Sequence, residues 1–149
     1  MSIKFPEYLS SVEGKLFING AYVSSKGGKE FDVYNPATEE VIGKGVAATL
    51  EDVDAAAKAA REAFDNGPWR TMSAWERANI LFKFADLIEA SSEWLGYHES
   101  LNNGKPLKNA TTEDVPFTAQ IYRYFAGICD KIKGNTLPMS KGFFGMTIK

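Results

Sequence analysis

From Thr49 to Gly104 apolar residues recur every three or four positions, the spacing of helices with one oily side. Leu50, Val53, Ala57, Ala60 and Phe64 make a first stripe, and Lys58, Arg61 and Glu62 fall off it towards water. Thr49 with Asp52 three positions on reads as a capping box, each side chain meeting a free amide of the other. Gly67-Pro68 ends this helix, because proline has no amide hydrogen to donate. Ser73 and Glu76 restart it with a second capping box. Ile80, Leu81, Phe84, Leu87 and Ile88 form the next stripe, which Trp94, Leu95 and Leu101 extend past a break at Ser91-Ser92. Asn103-Gly104 reads as a left-handed C-cap, with Pro106 blocking continuation.

Alternating patterns flank this helical stretch. Leu16 to Ile18 and Ala21 to Val23 around Asn19-Gly20 carry the signature of a two-residue hairpin. Phe31 to Tyr34, ending at Asn35-Pro36, and Glu40 to Gly43 read as two more strands, joined by a turn at Ala37 to Glu40. So short a ribbon needs the helices or another sheet for support. Beyond Gly104, Lys105 to Thr112 reads as a polar connection, and Asp114 as the cap of a third helix with Pro116 in its first turn. Phe117, Ile121, Tyr124, Phe125 and Ile128 give that helix its apolar face, and Gly134-Asn135 ends it. Leu137 to Met139 is extended, and Gly142 to Lys149 is a strand without an obvious partner. The fold class is α/β, with an α+β arrangement in this chain: short antiparallel strands, three amphipathic helices and a terminal strand. Residues 1–14 read as an irregular segment.

Composition changes this picture little. With 149 residues, 44% of them hydrophobic, the chain is long enough for one core. A net charge of −2, mixed along the chain, gives no reason to expect nucleic acid or an anionic membrane as partner. Cys129 is the only cysteine, which excludes an internal disulfide and a cysteine metal cluster. No run approaches the roughly 20 apolar residues of a membrane span. The expected setting is the cytoplasm, or the mitochondrial matrix if a targeting peptide has been removed.

Candidate chemistry is sparse. Gly43-Lys44-Gly45-Val46-Ala47-Ala48 loosely matches the dinucleotide fingerprint, but that motif needs its helix to begin within the glycine loop. Here the capping box delays the helix to Thr49, so a strand exit is the preferred reading. His98 has no serine or cysteine partner nearby in sequence, and Cys129 beside Ile128 reads as a small buried hydrophobe rather than a nucleophile. Asn109-Ala110-Thr111 matches the glycosylation pattern without a secretory signal. No complete catalytic constellation can be assembled from these residues.

Several separated stretches nonetheless converge. Leu16-Phe17-Ile18-Asn19-Gly20, Tyr34-Asn35-Pro36-Ala37-Thr38, Glu51-Asp52-Val53 and Gly67-Pro68-Trp69 fall in the order seen at the start of aldehyde dehydrogenases. So do Phe84-Ala85-Asp86-Leu87-Ile88, Asn102 to Pro106 and Arg123-Tyr124-Phe125-Ala126-Gly127. Over residues 15–149 the chain resembles the NAD(P)-dependent members that act on aliphatic or betaine-type aldehydes. The resemblance implies the N-terminal portion of that fold: 15–134 in the cofactor-binding domain and 135–149 at the start of an oligomerisation ribbon. It implies that the nucleophilic cysteine, the general-base glutamate, the oxyanion-hole asparagine and the cofactor loop lie beyond Lys149. The parent would oxidise an aldehyde to a carboxylic acid with NAD or NADP, and the 149-residue chain alone would bind no cofactor and be inactive. A naturally truncated, non-catalytic structural or interaction subunit is the alternative. Expected partners are the aldehyde, a remainder of the fold or a second protein over the helical face, and further copies in a homo-oligomer. By the same resemblance Phe117 either lines the mouth of the substrate tunnel or packs as an ordinary core residue. Val33 and Asn102 match the region of a structural monovalent-cation site. The family often has an acid at the latter place, and helix capping by Asn102-Asn103-Gly104 is the competing role.

Overall fold

Asn19 and Gly20 both adopt positive φ, 52° and 77°, as a two-residue hairpin turn demands. They join β1 (Leu16–Ile18) to β2 (Ala21–Val23) in the register Leu16↔Val23, Phe17↔Tyr22, Ile18↔Ala21. A second antiparallel pair follows, β3 (Glu30–Tyr34) with β4 (Val41–Val46). Its connecting turn is tied by the Asn35 amide donating to Glu40 O at 2.9 Å and by Glu39 at φ 62°. The computed structural model describes residues 13–148, so the irregular segment expected at 1–14 lies almost wholly outside the described residues.

Both capping boxes form. Helix α1 (Leu50–Asn66) is capped by Thr49 with Asp52, and α2 (Ala74–Ala90) by Ser73 with Glu76. Pro68–Arg70 makes a single 3-10 turn between them. The anticipated break falls at Ser91, which separates α2 from α3 (Ser92–Asn103), so that stretch holds two helices rather than one extended stripe. Gly104 closes α3 in the left-handed region, φ 78°, with its amide donating to Ser100 O at 2.9 Å.

The route into α4 (Val115–Ile128) departs from expectation. Lys105 to Thr112 is not a polar connection: Leu107–Asn109 is already helical, and Ala110–Asp114 continues as a π-turn directly into α4. Asp114 therefore has helical φ and ψ and makes no cap bond; its carboxylate pairs with Lys105 instead. The hydroxyls of Thr111 and Thr112 fold back onto the carbonyls of Leu107 and Lys108, which lets a threonine pair sit inside the helix. At its far end α4 stops at Ile128, short of Gly134. Gly134 has another duty, because a Cβ there would lie 1.8 Å from Thr147 O. It lets the chain close into the hairpin of β5 (Thr136–Leu137) and β6 (Gly145–Met146). The strand expected over 142–149 thus pairs within the chain, over two residues only.

On α4 the buried face lies opposite to the stripe read from sequence; on α2 it keeps Leu81 and Ile88 of that stripe half-buried beside the alanines and leaves Ile80 and Leu87 outside. Among the described residues the buried hydrophobic side chains are Ala78, Ala85, Ala110, Val115, Ala119 and Ala126. Ala78 and Ala85 on α2 sit two turns apart, as do Ala119 and Ala126 on α4, so two small-residue seams meet and the helices close up. Phe84 and Tyr122 seal one edge of the seam, edge to face at 4.8 Å. Arg123 reaches back to Asp86 at 2.7 Å and Glu89 at 2.6 Å. Meanwhile Leu50 is 86% exposed, and Val53, Phe64, Ile80, Phe84 and Leu87 are exposed as well. Where α2 meets α4 the small residues form the contact because they permit the closer approach.

Candidate functional site

The outer face of α4 is the first place where side chains with a candidate role gather. Phe117 stands in its first turn, 62% exposed, followed along the same side by Ile121 and Tyr124. Tyr124 and Phe125 meet edge to face at 5.3 Å, so the surface is a continuous aromatic and aliphatic stripe. The inward side of the same helix is Val115, Ala119 and Ala126, which leaves Phe117 out of the chain's own core.

Val33 and Asn102 sit on elements whose ends come together. Val33 is half-buried in β3 opposite Gly43, and Asn102 is exposed in the last turn of α3. Gly104 approaches the ring of Pro36 just beyond β3, where an added Cβ would lie 3.0 Å from Pro36 Cγ. The helix end is closed by Asn103 rather than Asn102: Asn103 Oδ1 accepts from the Lys105 amide at 2.8 Å, and its Nδ2 donates to Glu99 at 2.6 Å. Among the described residues no three His, Cys, Asp or Glu side chains are grouped to hold a metal ion.

The remaining motifs resolve into structural roles. Gly43 and Gly45 lie inside β4, not in a loop ahead of a helix, so they cannot present amides to a pyrophosphate. Gly45 is instead covered by the ring of Phe31 on the neighbouring strand, whose nearest atom lies 2.4 Å from where a Cβ would stand. His98 Nδ1 lies 2.7 Å from Trp94 O and therefore carries the proton, since a carbonyl can only accept. Its ring packs on Trp94 at 4.4 Å. Cys129 ends α4 with its thiol 3.4 Å from Phe125 O, a backbone contact typical of a structural cysteine. Asn109 is part of the helical run entering α4 rather than a surface loop.

The strongest polar construction is one that the sequence reading understated. Asp52, only 3% exposed, accepts from the Ser25 hydroxyl at 2.5 Å, the Lys26 amide at 3.1 Å, the Thr49 amide at 2.9 Å and the Thr49 hydroxyl at 2.8 Å. The Ser25 hydroxyl foremost, then the Thr49 amide, hold its carboxyl well below the usual carboxylate range. Asp52 thus caps α1 and clamps the Ser24–Lys29 loop onto it. The capping pattern revealed Thr49 and Asp52; nothing local in the sequence marked Ser25.

Against known proteins, residues 22–149 match the model of the aldehyde dehydrogenase family. The chain belongs to that family. It is 48% identical over 135 residues to aldehyde dehydrogenase 1 of Tanacetum cinerariifolium, covering 91% of this chain and 27% of that protein. It is 48% identical over 124 residues to the mitochondrial aldehyde dehydrogenase family 2 member B4 of Arabidopsis thaliana, covering 83% and 23%. The solved aldehyde dehydrogenase from Bacillus cereus in complex with NAD+ superposes with a TM-score of 0.85 at 46% identity, over 98% of this chain and 30% of that one. The chain thus spans between about a quarter and a third of the length of these aldehyde dehydrogenases, in the N-terminal region of the family fold. No helix among the described residues is long and apolar enough to cross a membrane.

Proposed function

We propose that this chain is the N-terminal part of an NAD-dependent aldehyde dehydrogenase, oxidising an aldehyde to a carboxylic acid, and that alone it is catalytically incompetent. The observation that carries the reading is family membership combined with the large aromatic face α4 leaves uncovered. In this reading the aldehyde forms a thiohemiacetal on a cysteine supplied beyond residue 149, hydride passes to the nicotinamide, and water releases the acid from the thioester. Residues 15–134 contribute to the cofactor-binding domain without touching NAD, and 135–149 open the oligomerisation ribbon of a homo-oligomer. Phe117 lines the entrance that aldehyde substituents pass, an assignment its exposure supports, and Val33 and Asn102 flank a weak monovalent-cation site. The setting is cytoplasmic, or the mitochondrial matrix.

The uncovered face equally suits a non-catalytic subunit that docks on a partner, so the test must separate the two. NADH formation from a short aliphatic aldehyde is measured for the 149-residue chain and for the full-length protein that contains it. Turnover by the latter alone is expected. Turnover by the 149 residues, abolished in Cys129→Ala, would sink the proposal; an inactive full-length protein would favour the docking subunit.

A further inference from the structure

The helical run from Leu107 to Ile128 is regular except at Ala110–Asp114, where it widens into a π-turn. The cause lies just downstream, at Pro116. A proline inside a helix donates no hydrogen bond, and its ring crowds the carbonyl four residues back, here that of Thr112. A wider turn relieves that crowding, which is a recognised origin of π-bulges and kinks. It also strands an acceptor. The Val115 amide donates to Ala110 O rather than to Thr111 O, and Pro116, the next in line, has no hydrogen to offer. Neither residue of the following turn therefore serves the Thr111 carbonyl.

A side chain from another helix does. Ser92 Oγ, at the start of α3, donates to Thr111 O at 2.8 Å. One turn further along α3, Gly96 is buried against the same residue: a Cβ there would lie 2.5 Å from Thr111 Cγ2 and 2.9 Å from its backbone N and Cα. Glycine admits the contact and the serine hydroxyl completes it.

We propose that Ser92 is a positioning residue: its hydroxyl holds the π-turn, and through it the rotation in which α4 turns Ala119 and Ala126 inward and Phe117, Ile121 and Tyr124 outward. One residue more or less in a helix turns everything after it by about 100°, enough to swing Ala119 and Ala126 out of the seam. The consequence for aldehyde selection rests on the reading of Phe117 given above; the register itself does not.

The test uses the full-length protein carrying this sequence, with Ser92→Ala, Ser92→Thr, Gly96→Ala and Phe117→Ala. Amide hydrogen exchange is followed over peptides spanning 107–118, and KM and kcat are measured for a long-chain and a two-carbon aldehyde. Loss of the Ser92 hydroxyl from this part-buried carbonyl is expected to speed exchange about tenfold in Ser92→Ala, while Ser92→Thr, which keeps the hydroxyl, stays near the parent. Gly96→Ala keeps the hydroxyl but pushes the helices apart, and should speed exchange in the same peptides. For the long aldehyde, KM is expected to rise several-fold in Ser92→Ala and Phe117→Ala, with kcat held within about twofold. Unchanged exchange in Ser92→Ala, or no rescue by threonine, overturns the proposal. So does a KM that responds to Phe117→Ala and ignores Ser92→Ala. A KM indifferent to Phe117→Ala defeats only the entrance reading, and exchange then decides on Ser92.

Discussion

Asp52 shows how much one carboxylate can organise when four donors converge on it. Its four donors come from two segments, Ser25-Lys26 and Thr49, so the residue joins a loop to a helix start. Because its carboxyl is held below the ordinary range in the folded chain, its contribution is complete above the unfolded value of about 3.9 and fades as pH falls towards the folded one. Asp52→Asn should therefore lower the urea midpoint by an amount that stays constant at neutral pH. The gap to the parent should narrow only in acid below about pH 4. Unfolding curves across that range check this; a gap that widens on acidification would contradict it.

At the scale of elements, the alanine seam between α2 and α4 and the Arg123 ion pairs both join the same two helices, and magnitudes separate them. Asp86 and Glu89 are well exposed, so water and salt screen their pairing with Arg123. Ala85 and Ala119 are fully buried, and adding bulk there costs about 1–3 kcal/mol through strain. Ala119→Leu is expected to lower the denaturant midpoint clearly, and Arg123→Gln to leave it almost where it was at moderate salt. The same seam explains what the sequence could and could not disclose. Caps, the Asn19-Gly20 turn and the Ser91 break are local chemistry and were legible residue by residue. Which apolar side of a helix faces inward is decided by another helix, and on α4 the large residues that dominate a periodicity count were the ones left outside. The π-turn was illegible for a related reason: Pro116 announces trouble, but only Ser92 and Gly96, supplied from α3, determine how it is resolved.

For the whole molecule, the inversion of small residues inward and large ones outward has a colloidal consequence. Phe117, Ile121, Tyr124 and Phe125 add to Phe143 and Phe144 of the terminal hairpin as exposed aromatic and aliphatic surface. Large exposed apolar patches, such as the contiguous stripe on α4, are uncommon on proteins that stay monomeric. By sedimentation the 149-residue chain is expected to gain mass with concentration, and Ile121→Lys with Tyr124→Lys to shift it towards monomer; a well-folded monomer at all concentrations would argue against an uncovered interface. The family fold was recognisable because its motifs are spread over nearly the whole chain. In the sequence, the roles proposed for Phe117, Val33 and Asn102 rest on the resemblance alone, because no local pattern of residues marks them.

The ring of Phe31 lying across Gly45 means that the β3–β4 ribbon holds a fixed amount of bulk shared by two positions. Enlarging the glycine alone forces the phenyl group off its resting place, and shrinking the phenyl alone bares a strip of backbone to water. Done together, the two changes compensate, so tolerance at either residue is set by its neighbour across the ladder rather than by its own surroundings.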